Sequence, residues 1–205
     1  MKSSHIKLLL WPVIFILAFF VYSSIQSEIN FQKNAELRIE ENIQKLKDLR
    51  ALQIAYKRVN NVYANNLDSL MSFFYNDSMP IVRAEGETPD SLTDSEALRL
   101  GIISRDTAFL AATDVVFDES YLKNRNEKYP LNTDALTIIP FTEKSYTIDA
   151  GMVEKGNVAV QVFEISATYA DVFSGLDAKN KKYDLDKLLK VGSMNEASLN
   201  GNWGE

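Results

Sequence analysis

Residues 8–25 run for 18 positions without a charged side chain, Leu-Leu-Leu-Trp-Pro-Val-Ile-Phe-Ile-Leu-Ala-Phe-Phe-Val-Tyr-Ser-Ser-Ile, and no other stretch limits the fold so severely. As a helix it is about 27 Å long, enough to cross the hydrocarbon of a bilayer. Trp11 and Tyr22 stand near its two ends, where amphipathic rings favour the membrane interface. Pro12 falls in the first turn of this segment, where a missing N–H costs least. Lys2 and Lys7 precede the run, whereas Glu28 follows it and the next basic residue is Lys33. Positive-inside asymmetry therefore predicts a cytoplasmic tail (1–7), a membrane helix (8–25) and the rest of the chain outside the cytoplasm. The competing reading is a cleaved signal peptide, for which Ser24 and Ser27 are small enough. Against it, the run exceeds the roughly 7–15 residues of a signal h-region and ends in no Ala-x-Ala.

The helical pattern continues from Glu28 to about Tyr63 with neither Gly nor Pro. Ala35, Ile39, Ile43 and Leu46 form a narrow apolar stripe, and Glu36, Arg38, Glu40, Glu41, Lys45 and Lys47 cover the other faces. This predicts a stalk helix over 26–65, solvated in its first half. Beyond Leu49 the apolar face widens through Leu52, Ala55, Val59 and Val62, so the C-terminal half is expected to pack into a head domain. Two partners suit the stripe: a second copy, in a parallel homo-oligomer through residues 35–63, or the chain's own head. A strict heptad through Ile39, Leu46 and Leu49 places Asn42, Gln53 and Asn60 at seam positions, and sustained coiled coils need cleaner heptads.

Residues 66–205 read as an α+β head, giving overall a transmembrane helix that continues into a long amphipathic helix packed on a small, mainly antiparallel sheet with short helices. Asn66 is placed to cap a helix carrying Leu67, Leu70, Met71 and Phe74 on one face. Thr93-Asp94-Ser95-Glu96 is a capping box opening a helix through Leu100, with Gly101 its left-handed terminator. Strands are predicted at 80–84, 105–111, 136–141, 145–150 and 157–167, the last being the most β-branched. Residues 151–156 are expected to connect a hairpin. Between 105–111 and 136–141 lie the apolar run Val115-Val116-Phe117 and a loop or ragged helix over 118–128. Helices are predicted at 169–176 and 184–189, before a Gly/Asn-rich tail. The head is either one unit or two subdomains divided near 119–130. Trp203, near the chain end, is either docked on the head or an exposed contact for a partner.

Chemistry is constrained by what is missing. The chain has no Cys and one histidine, His5, which precedes the apolar run. Thiolate chemistry, disulfides and His-dependent triads in the head are excluded. Ser120-Tyr121-Leu122-Lys123 matches S-x-x-K but lacks S-D-N and K-T-G companions, and the same pattern recurs at Ser4–Lys7. Asp184-Leu185-Asp186 and the group Asp114, Asp118 and Glu119 do not form a calcium-loop pattern. Lys179-Asn180-Lys181-Lys182 reads as a loop, with a lipid or partner contact as the sharper alternative. No catalytic residue, metal site or cofactor is therefore expected. Net charge is −6, and residues 66–205 hold 23 acidic against 13 basic side chains, which argues against nucleic acid.

Residues 8–70 resemble type II secretion pseudopilins and type IV pilins in the order of membrane helix, amphipathic helix, Tyr-containing turn and small antiparallel head. The likeness is carried by Leu49-Arg50-Ala51-Leu52-Gln53-Ile54-Ala55-Tyr56, Asn61-Val62-Tyr63 and Leu67-Asp68-Ser69-Leu70. The chain departs from that pattern in having no prepilin peptidase site and no Glu early in its charge-free helix. Pro89-Asp90-Ser91-Leu92-Thr93, residues 96–102, Ser104-Arg105-Asp106-Thr107, Val162-Phe163-Glu164 and residues 190–203 resemble an uncharacterised family of bacterial single-pass membrane proteins. That resemblance implies a bacterial envelope protein, and with the anchor and its flanking charges the expectation is an inner-membrane protein with its head in the periplasm. The lipid bilayer and envelope proteins are the expected partners. A non-enzymatic assembly role is the leading expectation, and a membrane-anchored sensor or ligand-binding module is the alternative.

Overall fold

In a computed structural model, which describes residues 3–89, 91–179 and 181–204, the chain is an α+β protein built around one helix. Helix α1 (Ser3–Asn60) runs unbroken for 58 residues, about 87 Å. Because the helix already runs from Ser3, Pro12 lies in its interior rather than in the first turn. Its missing N–H and the ring at the fourth preceding carbonyl are tolerable where the helix is long on either side. Lys57 and Arg58 oppose the negative end of the helix dipole, and Asn61, at φ 60°, terminates it.

The first half of the stalk is solvated on one side only, with Gln32, Lys33, Asn34 and Glu36 exposed. Phe31 and Ala35 are buried, as are Leu46, Leu49, Leu52 and Ala55, so packing begins near residue 31 rather than at the C-terminal half. The stripe that suited a coiled coil is covered by the chain's own head. Two of the three polar residues that broke its heptad, Asn42 and Gln53, are connection points, whereas Asn60 is exposed and bonds the Tyr56 carbonyl of its own helix. Asn42 donates to the Arg38 carbonyl (2.9 Å) and accepts from the Tyr146 hydroxyl (2.7 Å). Gln53 accepts from the Ala64 N–H (3.0 Å) and donates to its carbonyl (2.8 Å), so one side chain pairs both backbone groups of the buried turn after α1.

Helix α2 (Leu67–Asn76) is capped by Asn66, which accepts from the Ser69 N–H at 2.7 Å, and buries Leu70, Phe73 and Phe74. Strand β1 (Ser78–Glu85) pairs antiparallel with β2 (Ser104–Ala111), and α3 (Asp94–Arg99) lies in their connection. The capping box of α3 forms as predicted, and Gly101 (φ 71°) ends it in a Schellman pair, Ile102 N–H to Ala97 and Gly101 N–H to Leu98. The run Val115-Val116-Phe117 falls in and just after α4 (Ala112–Val116), followed by α5 (Glu119–Asn124).

Residues 136–141 are not a strand. They form tight turns with a single bridge, Ile138 to Ser145, because Pro140 lacks an N–H and Phe141 adopts φ 63°. The second sheet has the order β3 (Thr147–Lys155), β4 (Val158–Thr168), β5 (Leu188–Gly192), antiparallel throughout. The hairpin connection is shorter than predicted: Gly156 (φ 55°) and Asn157 (φ 64°) make the whole turn, with the torsions of type I′. Helix α6 (Tyr169–Val172) stops four residues before the expected end. The helix expected at 184–189 is instead a turn leading into β5, where Leu189 and Val191 alternate into the core. The tail then folds back, and Asn200 and Asn202 hydrogen-bond Gly192 and Lys190 along the outer edge of β5.

One hydrophobic core joins α1, α2, α4, Leu136, Ile139 and the second sheet, and it contains residues from both sides of 119–130. The β1–β2 arm projects from it.

Candidate functional site

Three features of this framework are candidates for function: a buried ionic centre, the apolar half of α1, and the arm. At the centre, Asp48 lies on the apolar face of α1 and is fully buried. Arg125, following α5, meets it with two nitrogens, Nε at 3.0 and 3.2 Å and Nη2 at 2.8 Å. The Tyr121 hydroxyl (2.8 Å) and Gln44 Nε2 (3.0 Å) donate to the same carboxylate. Arg125 also donates to the Tyr129 carbonyl. Burial first, and the Asp48 charge second, push the Tyr121 phenol far above its ordinary range. Burial likewise raises Tyr146 and lowers Lys45, whose ammonium donates to the Ala135 (2.7 Å) and Ile138 (2.8 Å) carbonyls.

Every polar group at this centre is engaged, so it fastens residues 121–138 to α1 and presents no activated nucleophile or base. Two clefts flank it. One, of about 600 Å³, is lined by Ile43, Gln44, Lys47, Arg50, Tyr121 and Asn124; the other, of about 480 Å³, by Glu41, Lys45, Lys128 and Tyr129. Sequence reasoning missed this centre. Its one available signal was a carboxylate set among Leu46, Leu49 and Leu52.

The S-x-x-K pair does not form a dyad, since Ser120 and Lys123 are both exposed on α5. Asp118 caps α5 through the Tyr121 N–H, and Asp184 lies 3.9 Å from Lys187. Among the described residues no group of three or more His, Asp or Glu is arranged to hold a metal ion.

The α1 helix is long and apolar enough to cross a membrane, and the apolar window is wholly exposed. Trp11 and Tyr22, 61% and 67% exposed, project from it with nothing packed over them from the head. Lys7 lies on the same helix, and Lys2 lies outside the described residues. Trp203 is docked: it is half-buried against the core, and its ring lies over Gly201, where a Cβ would come within 2.2 Å of it. Its indole N–H is buried with no acceptor among the described residues.

The arm has two unlike faces. Strand alternation turns Met79 and Ile81 toward the body, where Met79 is buried. The opposite face carries the cross-strand pairs Pro80–Phe109 and Val82–Thr107, all exposed, with Phe109 at 70% and Val82 at 61%. Leu100, near the arm's tip, is also exposed. Large side chains on an uncovered face of a two-stranded ribbon are the features expected of a docking element. Comparison with protein-family models, with curated proteins and with solved structures gives no match to this chain.

Proposed function

We propose that this is a single-pass inner-membrane protein with a cytoplasmic N-terminus and a periplasmic head, acting as a non-enzymatic assembly component of an envelope complex such as a pilus-like or secretion platform. The observation that carries the reading is the arm's uncovered apolar face, Pro80, Val82 and Phe109, on a head whose spine is the anchoring helix itself. Burying Phe109 and Val82 in a partner gives roughly 3–6 kcal/mol of favourable transfer free energy, a useful fraction of a specific interface. The resemblance to pseudopilins and to bacterial single-pass proteins supports the envelope setting. A photo-crosslinking amino acid at Phe109, activated in intact cells, is expected to capture a defined protein adduct. Absence of any adduct there, with the protein at normal abundance, overturns the assembly role.

A second reading, a small-ligand module, is favoured by the cleft of about 600 Å³ beside Arg125. It predicts that some small anionic compound raises the melting temperature of the full-length protein; a flat screen counts against it.

A further inference from the structure

The membrane-anchoring reading also fixes the height of the head, because no hinge separates the two. The apolar run ends at Ile25, and α1 passes through Glu28 to Phe31 without Gly or Pro. At 1.5 Å per residue, Glu28 stands about 4.5 Å and Phe31 about 9 Å beyond the run. Phe31 is already in the core, edge-on to Phe173 with centroids 5.9 Å apart and 6.3 Å from Tyr183. Lys181 binds the Glu28 carboxylate at 2.5 Å and lies 5.3 Å from the centre of the Phe31 ring. The loop that follows α6 is thus pinned at the level of Glu28–Phe31. The headgroup region of a bilayer extends roughly 5–8 Å beyond the hydrocarbon on each side.

We infer that the base of the head, the loop carrying Lys179, Lys181 and Lys182, rests in the phospholipid headgroup layer, with Lys179 and Lys182 against lipid phosphates. The inference depends on the anchoring reading. Lys179 and Lys182 are exposed, and so is Lys33 one turn above Glu28 on α1. Glu28, the acidic side chain closest to the apolar run, is engaged by Lys181, which holds its carboxyl below the usual range. Asp177, Asp184 and Asp186 nearly balance the four lysines of the loop over 173–187, so the contact arises from lysines placed at phosphate height rather than from a basic field. Tyr169, stacked on Phe173, and Tyr183, edge-on to it, add the amphipathic aromatic surface that suits an interface. A head seated on the leaflet also accounts for burial beginning at Phe31, where a stalked head would leave several turns of α1 bare.

The test is reductive methylation with formaldehyde and dimethylamine–borane, an aldehyde and a hydride donor that are both neutral, on the full chain in phosphatidylglycerol nanodiscs, read lysine by lysine by mass spectrometry. Lys179 and Lys182 are expected to react about fivefold more slowly than exposed Lys123 and Lys155, the factor corresponding to a lysine's attraction to an anionic leaflet. Seven helix-forming residues inserted between Gln26 and Ser27 raise the head by about 10.5 Å while keeping its facing, and should abolish the difference. An incorporated chain whose Lys179 and Lys182 react as fast as Lys123, with no change on insertion, overturns this inference alone. A chain that stays outside the nanodisc overturns the anchoring reading and this inference together.

Discussion

Removing the carboxylate at Asp48 is the most informative single perturbation of the head. In Asp48→Ala the Arg125 guanidinium, with only 6% of its side chain exposed, loses its counter-ion, and Tyr121 and Gln44 each lose an acceptor. Breaking a buried pair from one side costs about 3–5 kcal/mol, largely because a charge is left without compensation. Against the roughly 5–15 kcal/mol of a typical domain, that is a large part of the total. It corresponds to a fall of roughly 6–20 °C in melting temperature for a domain of this size. The double variant Asp48→Leu/Arg125→Met replaces the pair by apolar groups and should cost much less than the sum of the two single losses. Thermal and denaturant unfolding of the full-length protein in detergent, followed by Trp203 fluorescence, measures both. A single-variant loss below about 1 kcal/mol, or strict additivity in the double variant, refutes the description of this centre as a desolvated clamp.

Gln53→Leu leaves the N–H and carbonyl of buried Ala64 without partners and should cost about 2–4 kcal/mol in the same unfolding assay. Gly192→Ala forces a Cβ to within 2.2 Å of the Phe163 carbonyl oxygen at φ 76°, so a loss of at least about 2 kcal/mol or failure to accumulate is expected in expression and melting measurements. Phe109→Ser should leave stability within about 0.5 kcal/mol of the parent while abolishing the adduct captured by a photo-crosslinking residue placed at Val82. At high pH, Tyr121 and Tyr146 have phenol pKa values raised by burial, so their stabilising contribution is complete below the unfolded value near 10 and declines above it. Tyrosinate absorbance should therefore appear together with unfolding in an alkaline titration, not before it. At low pH, Asp171 is held down first by Lys144, and its contribution is present above about pH 4 and declines as pH falls; Lys144→Ala should flatten that limb.

The sequence was most readable where structure is decided locally. The capping box at Thr93, the Asn66 cap, Gly101 and the β-branched run of β4 specify their elements through near neighbours, and each forms where predicted. Reading failed where a residue's role is set by a distant partner. Asn42, Asp48 and Gln53 look like defects in an apolar stripe until Tyr146, Arg125 and Ala64 are brought to them. Residues 184–189 have acceptable helix propensity, yet the unpaired edge of β4 takes Leu188 to Gly192 as a strand. The 136–141 run has strand composition, but the carbonyls of Ala135 and Ile138 bond the half-buried Lys45 ammonium 90 and 93 residues away in sequence. The arm's bare face was legible as a pair of strands, and its exposure was not, because that depends on what the rest of the chain fails to cover.

Because the chain has no cysteine, single reporters at Ser3 and Ser120 test the central claim directly. Ser120→Cys, exposed on α5, should react with an impermeant maleimide in intact spheroplasts, and Ser3→Cys only after lysis, in a protein that stays with membranes through alkaline carbonate washing. The reverse labelling pattern, or release of the full-length chain by carbonate, contradicts a membrane-anchored protein whose head faces the periplasm.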